Sequence, residues 1–164
     1  KNTIFVITAD HTQKSLHPEI YYDKIGYYRV PLFFYIPGLD QQKLEVAKDR
    51  VTQHIDIMPS VMDLLGIQLP ERLLVGQSIF DNAKPGRAYN YTTAAYWIIE
   101  PGVIGELVHP SGFAGYSHVN TFERKEISVE DARVQGALLD IKAVVHYMNE
   151  GLVGNSLYRW KEAK

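Results

Sequence analysis

The residues of this chain best suited to chemistry are Asp10 and His11, side by side at the end of the run NTIFVITADHT, residues 2–12. A carboxylate oxygen beside an imidazole nitrogen offers two donors to a hard or borderline divalent cation, or one acid/base pair. The same residues also suit a plain turn, with Asp10 capping it and His11 at the surface. Two ligands do not complete a metal site, so further donors must come from elsewhere. The other histidines are His17, His54, His109, His118 and His146, and no two are spaced as HxxxH or HxH. His17 follows the pair closely enough to return to it, or to sit in a solvated loop. His54 precedes an expected helix start, where a neutral imidazole is suited as ligand or as structural residue. His146 is expected on the solvated side of a helix. Cysteine is absent, which removes disulfides, Cys-bound zinc and thiol catalysis. No GxGxxG, Walker loop, GxSxG or HExxH motif occurs.

The elements that must hold the pair can be read from the pattern. Ile4 to Ile7 are β-branched or aromatic and uninterrupted, the signature of a strand buried on both faces in a parallel sheet. Asp10 and His11 then stand where that strand emerges, the end at which open α/β sheets bind ligands. Thr12 to Tyr28 is polar and tyrosine-rich and reads as a long loop. Leu32 to Ile36 is a second buried strand, between Pro31 and Pro37. In QHIDIMPSVMDLLGI, Asp56 is suited to cap a short helix, Pro59 to its first turn and Gly66 to its end. From Arg87 to His118, aromatic and aliphatic residues alternate with small and polar ones, which predicts two to four antiparallel strands with a hairpin at Pro101–Gly102. Ser128 and the acids after it open a helix whose stripe is Val134, Leu138, Ile141, Val145 and Met148.

Composition narrows the classes. The 164 residues suffice for a sizeable core, and 46% hydrophobic with 22% charged content is that of a folded globular chain. A net charge of -2 with no basic stripe excludes a nucleic-acid footprint. The apolar runs fall short of the roughly 20 residues of a membrane span. A core-type strand directly after Lys1 leads us to expect a piece of a longer protein.

NTIFVITADHT, GYYRVPLFFYIPG, QHIDIMPSVMDLLGI and GQSIF, in that order over residues 2–80, resemble the C-terminal part of sulfatase-type enzymes of the alkaline phosphatase superfamily. Within it, they resemble the lipoteichoic-acid-synthase-like, membrane-anchored branch. The resemblance implies an α/β fold: part of an alkaline-phosphatase-like sandwich of parallel core strands and flanking helices, a small antiparallel sheet and a closing helix. The expected divisions are 1–85 for the catalytic core, 86–125 for the small sheet and 126–164 for the helical end. It implies a hydrolase of sulfate or phosphate esters, or a phosphoglycerol-type transferase, acting on a small molecule, lipid or glycan. Asp10 and His11 take the family's Asp-His positions as ligands of a divalent metal (Mn, Mg, Ca or Zn). The nucleophile and the remaining acidic ligand belong to the missing N-terminal half. His17 and Tyr21 are further candidates for contact with substrate. The implied location is the outer face of the bacterial cytoplasmic membrane or the periplasm. The alternative is a non-catalytic relative that binds an anionic glycan or lipid headgroup. One departure stands out: Thr12 follows the histidine where the family usually has glycine.

Overall fold

Among the described residues the chain forms two short strands, a five-stranded meander and two helices. The computed structural model describes residues 3–12, 25–40, 44–47, 49–68, 76–92, 94–108, 112–120 and 123–157. Strand β1, Phe5–Thr8, and strand β2, Leu32–Tyr35, form one ribbon. They pair antiparallel, Phe5 opposite Tyr35 and Thr8 opposite Leu32. The expectation of parallel core strands is therefore corrected for this pair. An apolar run reports burial, not the direction of its neighbour. Burial is also one-sided: Phe5, Ile7, Phe33 and Tyr35 share one face and are 46–60% exposed. On the other face Phe34 meets the edge of Phe80, with ring centroids 5.4 Å apart.

Helix α1, Ile57–Leu64, follows a 3-10 turn over His54–Asp56. It ends as the sequence predicts. Gly66 has φ +69°, its N–H donates to the Asp63 carbonyl, and the Ile67 N–H reaches Met62. That is a Schellman ending, which glycine adopts without steric cost. Its start differs from expectation. The Asp56 side chain caps no amide of α1; it accepts from Gln53 N at 3.0 Å and Gln77 N at 2.9 Å. The preceding 3-10 turn moves the first helical residue upstream, so the carboxylate reaches back to Gln53. The Ser60 hydroxyl accepts from Ile79 N at 3.0 Å and donates to the Asp56 carbonyl at 2.6 Å. Asp56 and Ser60 together thus staple the Gly76–Phe80 loop to the start of α1. Gly76 is required there, because a Cβ would lie 2.3 Å from the Ile55 carbonyl oxygen.

Strands β3 (Ala88–Thr92), β4 (Ala95–Glu100), β5 (Val103–Val108), β6 (Gly112–Asn120) and β7 (Glu123–Ile127) pair antiparallel in chain order. The β4–β5 hairpin turns at Pro101–Gly102, with Gly102 at φ +80°. From Arg87 to His118 the four strands β3–β6 meet the expected two to four, and the polar stretch past His118 adds β7 to the ladder. Helix α2, Ala132–Val153, lies across β4, β5 and β6. Its N-cap is Asp131, which accepts from Arg133 N at 2.9 Å, while Ser128 forms the turn before it. Of the predicted stripe, Val134 and Ile141 are buried on Ile98 and Val103 together with Ala137, and Leu138 and Val145 pack against them partly buried. Full burial of each of the larger side chains contributes about 1.5–3 kcal/mol. The opposite face of the meander is also covered. Ala95, Trp97 and Ile104 pack against Ile25, which leads into a 3-10 turn over Gly26–Tyr28. Among the described residues no helix is long and apolar enough to cross a membrane.

Candidate functional site

The end of β1 is where three segments meet. Thr8 donates its hydroxyl proton to the Pro31 carbonyl at 2.9 Å, tying β1 to the entry of β2. His54, from the turn before α1, places Nε2 2.7 Å from the Ala9 carbonyl and 3.3 Å from Thr8 Oγ1. A carbonyl only accepts, so Nε2 carries the proton and clamps the strand end. The next two residues are the predicted pair. Asp10 Oδ1 accepts from His11 N at 2.9 Å, which folds the carboxylate back over its neighbour. His11 Nδ1 lies 3.0 Å from the Thr12 carbonyl. That bond makes Nδ1 the donor and leaves the Nε2 lone pair open in the neutral ring.

Asp10 Oδ2 and His11 Nε2 then face each other across 3.7 Å, the aspartate side chain 89% and the histidine side chain 49% exposed. Two donors held about 2.0–2.2 Å from one zinc-like ion can lie up to about 4.4 Å apart, so both can touch the same cation. A tied Nδ1 with a free Nε2 is how metal-binding histidines are usually oriented. The donor set fits a divalent cation in part. Among the described residues no cluster of three or more His, Cys, Asp or Glu side chains forms. His54 reaches the residue before the pair, and its Nε2 is spent on that backbone carbonyl.

Downstream, Thr12 meets Tyr27. The Tyr27 carbonyl accepts from Thr12 N at 3.0 Å and from Thr12 Oγ1 at 2.8 Å. The Tyr27 ring stacks on His11, with centroids 5.1 Å apart and planes 18° from parallel. Tyr28 meets Tyr27 edge-on at 5.0 Å. These partners were not legible in the sequence. Only the glycine-to-threonine departure at Thr12 and the run of tyrosines marked the region. His17 and Tyr21 lie outside the described residues. His146 is exposed, as expected.

With this arrangement in view, the relationships of the chain are informative. Residues 1–67 match the Sulfatase family. That span includes the pair, the His54 clamp and all of α1. Over 74 residues the chain is 35% identical to the Delta 4,5-hexuronate-2-O-sulfatase of Bacteroides thetaiotaomicron, a match covering 43% of the chain and 15% of the relative. A crystal structure of an alkaline phosphatase superfamily protein from Vibrio parahaemolyticus superposes with a TM-score of 0.66 at 17% identity. It aligns with 96% of this chain, which in turn covers 36% of that protein. The chain thus shares the fold of part of that protein and spans a minor part of the relatives it matches. The expected α/β class, with an antiparallel sheet and closing helix, holds.

Proposed function

We propose that the chain supplies two ligands, Asp10 and His11, to the metal centre of a sulfate ester hydrolase. The observation that carries this reading is the 3.7 Å pair of open donors at the end of β1, with the imidazole held by its other nitrogen. Its support is the sulfatase likeness of residues 1–67. A divalent cation, when bound, would lower the charge on the transferring group's oxygens and activate the attacking hydroxyl. Asp10 and His11 would hold it, and His54 would fix the strand end from which both project. We assign the nucleophile and the remaining acidic ligand to polypeptide outside these residues, in keeping with the small share of its relatives that the chain spans. The order of motifs from Asp10 to Phe80 supports a place near the lipoteichoic-acid-synthase-like branch. In that branch the substrate would be a lipid or glycan ester met outside the cytoplasmic membrane.

The test compares the full-length protein with its Asp10→Ala variant on aryl sulfate, aryl phosphate monoester and aryl phosphate diester substrates, with metal content measured in parallel. We expect metal-dependent turnover, fastest on the sulfate, that disappears with Asp10→Ala. Asp10 is exposed, so the fold should lose no more than about 0.5 kcal/mol. Diester turnover above sulfate turnover would shift the reading to phosphoglycerol-type transfer. Wild-type metal content in Asp10→Ala would overturn the ligand assignment.

A further inference from the structure

We propose that Thr12 and Tyr27 form a latch that sets the orientation of the His11 imidazole, with Tyr27 as a positioning residue. The inference rests on the reading of His11 as a ligand, but its core claim concerns the ring and can be tested without metal.

The three residues close a cycle. The Thr12 carbonyl accepts a hydrogen bond from the Nδ1–H of His11. The Thr12 amide and hydroxyl both donate to the Tyr27 carbonyl. The Tyr27 ring returns to cover the face of His11 at 5.1 Å and 18°. An imidazole has two torsions to fix. The Nδ1 bond constrains the ring flip, and the stacked phenol blocks rotation toward its own side. Without the stack, a histidine with half its side chain in solvent would visit other staggered wells. Each such excursion would move Nε2 away from Asp10 Oδ2.

Tyr27 is itself held from a distance. Ile25, two residues upstream, packs on Ala95, Trp97 and Ile104 of the meander. Gly26, in the same turn, is buried. The latch thus carries the rigidity of the C-terminal sheet to a ligand at the end of β1. The hydroxyl half of the latch depends on the residue after the histidine. A glycine at position 12 would keep the amide bond to Tyr27 and lose the 2.8 Å hydroxyl bond.

The experiment is NMR on the full-length protein with labelled histidine. It compares wild type, Tyr27→Phe, Tyr27→Leu, Thr12→Ser and Thr12→Gly, first without metal and then on titration with Mn2+. In wild type the stacked phenol should shift the His11 ring protons upfield. Tyr27→Phe and Thr12→Ser should retain that shift. Tyr27→Leu should abolish it and Thr12→Gly should reduce it, with thermal midpoints unchanged. Apparent Mn2+ affinity, read from broadening of the His11 signals, should weaken about ten-fold or more in Tyr27→Leu. A His11 shift unaltered by Tyr27→Leu, or equal Mn2+ affinity in Tyr27→Leu and wild type, overturns the latch. If wild type shows no Mn2+ broadening at His11, the ligand reading fails, and the metal-free spectra still decide the latch.

Discussion

Removing the Asp56 carboxylate should cost the chain more than removing any exposed acid. The side chain is 1% exposed, and its two oxygens accept from Gln53 N at 3.0 Å and Gln77 N at 2.9 Å. In Asp56→Ala both amides lose their acceptor in a place water reaches poorly. Each orphaned donor costs about 1–3 kcal/mol. Relief from burying a charged group offsets part of that sum, leaving a net loss of about 2–3 kcal/mol. For a chain of this size, that lowers the midpoint by about 4–12 °C. Asp56→Asn keeps one acceptor and turns an amide donor toward the other N–H, so it should lose about 1–3 kcal/mol. The pH dependence adds a second check. Burial raises the Asp56 pKa above 3.8, the backbone bonds opposing it only in part. The folded state therefore keeps a proton that the unfolded state has released. Wild-type stability falls as pH climbs from 3.8 through the raised value, and neither variant has this slope. The wild-type advantage should narrow over that window. The assay is thermal unfolding by circular dichroism of the three proteins from pH 4 to pH 7. An Asp56→Ala midpoint within about 1 °C of wild type would refute the staple. An advantage that widens with pH would refute the burial argument.

Other consequences are equally open to measurement. A Cβ on Gly115 would lie 2.5 Å from Val134 Cγ2, so Gly115→Ala should push α2 off β6 and cost about 1–3 kcal/mol in denaturant unfolding. Arg87 joins Asp140 on α2 at 2.8 Å to Glu100 on β4 at 3.8 Å, so Arg87→Met should destabilise by about 1–2 kcal/mol, discounted for partial exposure. The same change should raise the Glu100 pKa further, since the guanidinium is what opposes its burial and the nearby Asp140 charge. The Asp131 carboxyl, bonded to the Arg133 side chain and amide, should titrate near 2 by carbon-13 NMR. Its stabilisation of the α2 start is complete above the ordinary 3.8 and lost as pH falls through about 2, and a midpoint near 3.8 would show the cap does not form.

Features that depend on residues close in sequence were legible; those that depend on distant partners were not. The α2 stripe from Val134 to Ile141 follows helical periodicity and became the core face. Gly66 and Gly102 mark chain reversals that need positive φ, and both occur there. Asp10 and His11 were identified as donors by type and position, and the structure leaves both open. The antiparallel sense of β1 and β2 was not legible, because side-chain pattern carries no strand direction. Asp56 was read as a cap because capping residues are recognised by type, whereas its partner Gln77 lies 21 positions on. Tyr27 covers His11 through a loop closure whose length and polarity do not name the residue that returns. His54 was ambiguous between ligand and structural residue until the carbonyl of Ala9 appeared on its Nε2.

The β1–β2 ribbon also bears on how the chain behaves in a tube. Among the described residues neither outer edge of the ribbon is paired, and one face shows Phe5, Ile7, Phe33 and Tyr35 to water. Open backbone edges beside a flat aromatic face are a template for strand addition between molecules. Expressed alone, the chain should self-associate as its concentration rises, and a lysine at Ile7 or Phe33 should keep it dispersed without touching the Asp10–His11 end. Light scattering of the two forms at matched concentration would measure how far solubility, rather than folding, governs its yield.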